Sequence, residues 1–178
     1  MDGSHSYITI TWGKEAIIEV QRGLTAQSLH HLNLLYENKW TVEIDRLSNI
    51  GSPMVVHVPK PAAFVVHKGI VYRKRRDKLK RAKDLFYLFH VLAVYSREWN
   101  DWIIADLAEL ARRYPAWLRK MVSNLESEFS LISNPAVKAV VDQRPPAFLI
   151  DLNDEQLAQY VFDVMSETVQ KIKDLLGL

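Results

Sequence analysis

Apolar and polar positions change period once along this chain, near residue 58. Before that point the pattern is short and mainly alternating. Tyr7–Trp12 (YITITW) is rich in β-branched and aromatic residues and predicts a strand. Gly13-Lys14 is placed to turn it back into a second short strand, Ala16–Val20, and Gly23 ends that piece. Thr25 suits the cap of a helix over Ala26–Asn38, with Leu29, Leu32, Leu35 and Tyr36 as its apolar side. Trp40–Leu47 alternates again, with Val42, Ile44 and Leu47 set against Glu43, Asp45 and Arg46. A Gly51-Ser52-Pro53 turn then leads to a further strand over Met54–Val58.

Beyond that point the spacing becomes three and four. Pro59 and Pro61 suit a strand exit and a helix start, with a helix over Ala62–Tyr72 in which Gly69 is a weak point. Asp77 is a natural N-cap for a helix to Tyr95, along which Leu79, Ala82, Phe86, Phe89 and Ala93 recur; from Leu85 onward it is apolar nearly all round, which predicts burial. Asn100 or Asp101 opens a helix to Tyr114 with Ile103, Leu107, Leu110 and Ala111 as its stripe. Pro115 opens another to Ile132, lined by Leu118, Met121, Val122, Leu125 and Phe129. Residues 133–148 hold Pro135, Pro145 and Pro146 and suit a linker. Asn153 with Gln156 forms a capping box for a last helix, whose stripe runs from Leu157 to Leu175 and which Gly177 closes; this helix either packs back on the bundle or docks on a partner. The expected fold class is α+β: a small, mainly antiparallel sheet with one helix in residues 1–58, then a helical bundle in 59–178.

Composition changes this picture little. The chain has 178 residues, 48% apolar and 25% charged, enough for a sizeable core without staples. It has no cysteine, which excludes disulfides and thiolate metal sites and fits a reducing cytoplasm. No apolar run is long enough for a transmembrane helix, and no secretory leader pattern is present.

Charge changes it more. Eight of the eleven residues from Arg73 to Lys83 are Lys or Arg and Asp77 is the sole acid, so this window carries +7 in a chain of net +2. A field that concentrated attracts an anion. Cations at a helix start are unfavourable unless an anion site is being built there; the plainer alternative is a solvated face with Asp77–Arg81 and Arg81–Asp84 pairs. His30, His31, His57 and His67 have no carboxylate at ligand spacing and make a weak metal case. Trp99, Trp102 and Trp117 suit core or docking contacts better than base stacking.

VPKPAAFVVHK, then Arg75 or Arg76, then KLKRAKDLFYL resembles the C-terminal half of bacterial nucleotidyltransferase-like proteins, members of the DNA polymerase β-like superfamily that includes abortive-infection toxins. The similarity covers residues 41–95. It implies that Lys68, Arg75 and the Lys83–Asp84 pair match the family's positions, and that His67, Lys68, Arg75, Arg76, Lys80 and Lys83 hold a nucleoside triphosphate. It further implies Mg²⁺ on carboxylates, for which Asp45 is the candidate and Glu43 its i, i+2 neighbour, and an RNA or protein acceptor. The departures are equally definite. No Gly-Ser turn followed by Asp-x-Asp is present, Gly3-Ser4 lacks those carboxylates, and Tyr87 stands where some relatives carry Asp. The chain is therefore expected to be the C-terminal part of a longer enzyme or a degenerate member, with catalysis by this chain alone in doubt. The alternative class is a non-catalytic module that binds nucleic acid or protein through the basic run.

Overall fold

The computed structural model describes residues 17–21, 24–27, 31–44, 54–95 and 100–178, and the side chains of 31–44, 54–94 and 103–178. The expected Tyr7–Trp12 strand, the Gly13-Lys14 and Gly51–Pro53 turns, His30, Asp45, Trp99 and the Trp102 side chain lie outside that description. The chain divides into two compact units, Met1–Leu32 and Asn33–Leu178.

In the first unit, β1 (Ile17–Gln21) pairs antiparallel with β2 (Leu24–Gln27), Ile17 opposite Gln27, with an irregularity between Glu19 and Gln21. The expected helix over Ala26–Asn38 is corrected here. Thr25 and Ala26 belong to a strand, and α1 covers only Leu32–Glu37. His31 explains the late start: its φ of 61° is left-handed, so an α-helix cannot run through it. The buried position of α1 is Leu34, while Leu32 and Tyr36 of the expected apolar side are exposed.

The second unit carries β3 (Lys39–Ile44) and β4 (Met54–Pro59), an antiparallel pair in register from Lys39 opposite Pro59 to Ile44 opposite Met54. Six helices follow: α2 (Pro61–Val71), α3 (Lys78–Tyr95), α4 (Asn100–Arg113), α5 (Pro115–Glu128), α6 (Pro135–Val141) and α7 (Asp154–Leu176). A 3₁₀ turn, Tyr72–Lys74, joins α2 to α3. The class is α+β, as the change of period implies. Among the described residues no helix is long and apolar enough to cross a membrane.

Helix α2 is the axle of the bundle. It packs against α3, α4 and α5, and seven of its eleven residues are buried. Its small residues allow that crowding. A Cβ at Gly69 would overlap the Met121 side chain, so the apparent helix weak point is a place where α5 packs directly on the α2 backbone. The stripes expected on α4 and α5 are buried as read, but α5 stops at Glu128 rather than Ile132. Phe129 leaves the helical region (φ −119°, ψ 30°), and Leu131 and Ile132 emerge into solvent.

Residues 133–148, expected as a linker, contain α6, whose Ala136, Val137 and Val140 join the core against α3 and α7. The alternatives for the last helix are resolved: α7 packs back on α3, α4, α5 and α6. Its ends are those the sequence encodes. Asn153 and Gln156 form the reciprocal capping box, and Gly177 closes the helix in the left-handed region at φ 65°.

Replacing Gly69 tests the close approach. Gly69→Ala is expected to lower the melting temperature by several degrees despite alanine's better helix propensity, because the overpacked methyl costs about 1–3 kcal/mol. In a thermal double-mutant cycle, Gly69→Ala together with Met121→Ala should cost less than the sum of the two single changes. Additive losses would mean that the two residues do not meet.

Candidate functional site

The chemistry gathers where α2 ends and α3 begins. Asp77 caps α3, its Oδ1 accepting from the backbone N–H groups of Leu79 (2.8 Å) and Lys80 (3.2 Å). The cap expected at Asp77 is thus present, and it occupies two of the backbone N–H groups at that helix terminus. One turn on, the α3 backbone carries Asp84 inward, and its side chain is only 6% exposed. A buried carboxylate demands partners, and it has one for each oxygen. Lys68, in the last turn of α2, donates its ammonium to Oδ1. Arg75, in the extended backbone after the 3₁₀ turn, donates Nε to Oδ2 at 2.9 Å. The Lys68 ammonium also lies 5.5 Å from the Phe64 ring centroid and 5.7 Å from that of Tyr87.

Arg75 is held by Nε alone. Among the described residues its two terminal nitrogens have no hydrogen-bond partner, and its side chain is 41% exposed. The guanidinium is thus fixed at its inner edge with its outer edge free.

Two further cations of the run reach across to α5. Arg81 pairs with neither Asp77 nor Asp84; it reaches across to Glu128 at the end of α5. Arg73 joins the same carboxylate at 3.4 Å, donates to Ser127 Oγ and to the Asn124 carbonyl (3.1 Å), and its Nε donates to the Tyr72 hydroxyl (3.1 Å). Tyr72 is fully buried and donates its own O–H to the Asn124 carbonyl at 2.8 Å, while Asn124 Nδ2 donates to the Gly69 carbonyl at 3.0 Å. Burial, then the Glu128 charge, push the Tyr72 phenol up to about 12. Sequence reasoning missed this α5 partner set. Its one visible signal was Asn124, a polar residue between Val122 and Leu125 on an apolar face.

Lys74, Arg76, Lys78, Lys80 and Lys83 are exposed, and none has a carboxylate within salt-bridge distance among the described residues. His67 is half-buried on α2 directly before Lys68. Of the two metal candidates, Glu43 is exposed on β3 opposite Val55, and Asp45 lies outside the described residues. Among the described residues no group of three or more His, Asp or Glu could hold a metal ion. His57 meets Thr41 across the β3–β4 pair at 3.3 Å. Trp117 stacks on Tyr114 (centroids 4.7 Å, 6° between planes) and packs against the core.

Fold and site together define an α+β protein with an anchored arginine in a cationic corner. A family model described as Nucleotidyltransferase matches residues 9–111, more than half of the chain, and the chain belongs to that family. No curated protein and no solved structure matches the chain significantly.

Two measurements probe these clusters. Asp84→Ala strands the mostly buried Lys68 ammonium and should cost about 3 kcal/mol in chemical denaturation; a change below about 0.5 kcal/mol would show that the bridge carries no stability. For Tyr72, the folded phenol keeps its proton to about pH 12, whereas the unfolded one releases it near the ordinary 10.0. Its contribution is therefore complete below pH 10 and declines as pH rises from 10 to 12. Denaturant midpoints over that range should fall more steeply for the wild type than for Tyr72→Phe.

Proposed function

We propose that this chain binds a nucleoside triphosphate at the α2–α3 corner and serves as the nucleotide-holding part of a nucleotidyltransferase. The observation that carries this is Arg75: Nε fixed on the buried Asp84, with both terminal nitrogens turned to no protein partner among the described residues. A guanidinium held that way is a pre-organised fork for phosphate oxygens, and little ordering entropy is left to lose on binding. Lys80, Lys83 and Arg76 add attractive field around it, Lys68 shares its carboxylate from α2, and His67 is included in the site as the residue before Lys68. Mg²⁺ accompanies the triphosphate as its counter-ion, and an RNA or protein hydroxyl is the acceptor in this reading. Phosphoryl chemistry of this kind rests on positioning and charge stabilisation, which a cationic fork supplies. No transfer step is assigned to the described residues, because they bring no metal-holding carboxylate cluster together.

The five exposed cations that have no carboxylate partner among the described residues favour a second reading, in which the run holds a nucleic-acid backbone without catalysis. Salt separates the two. A backbone held by several cations weakens steeply and linearly in log–log form as salt rises, whereas a triphosphate site depends on Mg²⁺.

Calorimetry with Mg-ATP and Mg-GTP tests the leading reading. Arg75→Ala should weaken binding about tenfold or more, and Lys80→Glu less, since Arg75 makes the contact and Lys80 supplies only field. Absence of both heat and thermal shift at millimolar ligand would rule the triphosphate site out. Incubation with labelled nucleotides, Mg²⁺ or Mn²⁺ and RNA or protein acceptors should give no transfer by this chain alone. Label transfer lost in Asp45→Asn would instead establish a complete catalytic centre.

A further inference from the structure

From Leu85 to Leu92, α3 is core: Leu85, Phe86, Leu88, Phe89 and Leu92 are all buried. Tyr87 breaks that run, with 47% of its surface in solvent. It stands four residues beyond Lys83 and three beyond Asp84, the spacings at which side chains on a helix are neighbours. The ring is also tied to the cationic corner directly, since the Lys68 ammonium is 5.7 Å from its centroid and bonds the same carboxylate as Arg75. An exposed aromatic face therefore borders the cations placed for phosphate. In a nucleotide the base is one ribose away from the innermost phosphate, so a phosphate fork with an aromatic ring at its edge has the two recognition elements a nucleotide presents.

We propose that the Tyr87 ring is the platform on which the nucleobase stacks; this rests on the triphosphate reading of the Arg75 corner. Stacking uses the π-face that every base has, so the site tolerates all four bases and favours the larger purine faces. The phenol hydroxyl has no part in it.

The test compares Mg-ATP with inorganic tripolyphosphate plus Mg²⁺, by calorimetry, on the wild type, Tyr87→Phe, Tyr87→Ala and Tyr87→Leu. The leucine variant keeps apolar bulk and removes the ring, and ligand-free melting curves show that each variant is folded. In the wild type ATP should bind about tenfold tighter than tripolyphosphate, within the range that one stacked base contributes. Tyr87→Phe should keep that ratio. Tyr87→Ala and Tyr87→Leu should bring it to about one by weakening ATP alone. A ratio unchanged in the alanine and leucine variants, with tripolyphosphate still bound, overturns the base platform and leaves the phosphate site standing. Failure of the wild type to bind either ligand overturns both.

Discussion

Asp84 accepts from Lys68 through one oxygen and from Arg75 through the other, and much of this molecule depends on that bridge. A carboxylate with a 6% exposed side chain is costly to bury without partners, and so is a lysine ammonium 16% exposed. Each therefore requires the other. The bridge ties the end of α2 to the first turns of α3, across a 3₁₀ turn whose Tyr72 and Arg73 side chains bond α5. It also orients Arg75 without consuming its fork. Stability and chemistry are coupled at one carboxylate, so the site's geometry is as firm as the helix pair that carries it.

A second polar cluster does comparable work without reaching the proposed ligand site. The Asn124 carbonyl accepts from Tyr72, Arg73 and Ser127, and Glu128 collects Arg73 and Arg81. These bonds join α5 to the α2–α3 corner beside the Gly69–Met121 contact, where backbone and side chain are already close. The two carboxylates thus sort a uniform-looking basic run. Arg73, Arg75 and Arg81 are engaged by acids, and Lys74, Arg76, Lys78, Lys80 and Lys83 stay exposed with no carboxylate within salt-bridge distance among the described residues. Arginine's multiple donors suit it to the engaged positions, since one head can satisfy several buried acceptors while lysine serves as a mobile point charge.

The chain belongs to a nucleotidyltransferase family. Under the proposed function, the Arg75 fork held on Asp84 is the phosphate contact, and the lysines around it add field. The matched span, residues 9–111, ends within α4, so α5, α6 and α7 lie beyond it. Of these, α5 nonetheless supplies Glu128, Asn124 and Met121 to the packing of the corner.

Local signals set most of the helices. Proline starts at Pro61 and Pro115, the Asp77 cap, the Asn153–Gln156 box and the Gly177 close all act through nearest neighbours, and each stands where its residues put it. The apolar stripes of α4, α5 and α7 were equally legible, because burial follows the helical period. Where the sequence misleads, long-range or conformational terms decide. Leu24–Gln27 is a strand because its partner Ile17–Gln21 is present, and a left-handed His31 stops any helix from running through. The Pro-flanked stretch around α6 is core because α3 and α7 leave a place for its small apolar residues. The cationic run and its attraction for anions are properties of composition, and the sequence alone determines them. Which arginine is anchored, and that Arg81 reaches Glu128 rather than its own helix's acids, depends on side chains up to 47 residues apart meeting, and only the tertiary structure decides that.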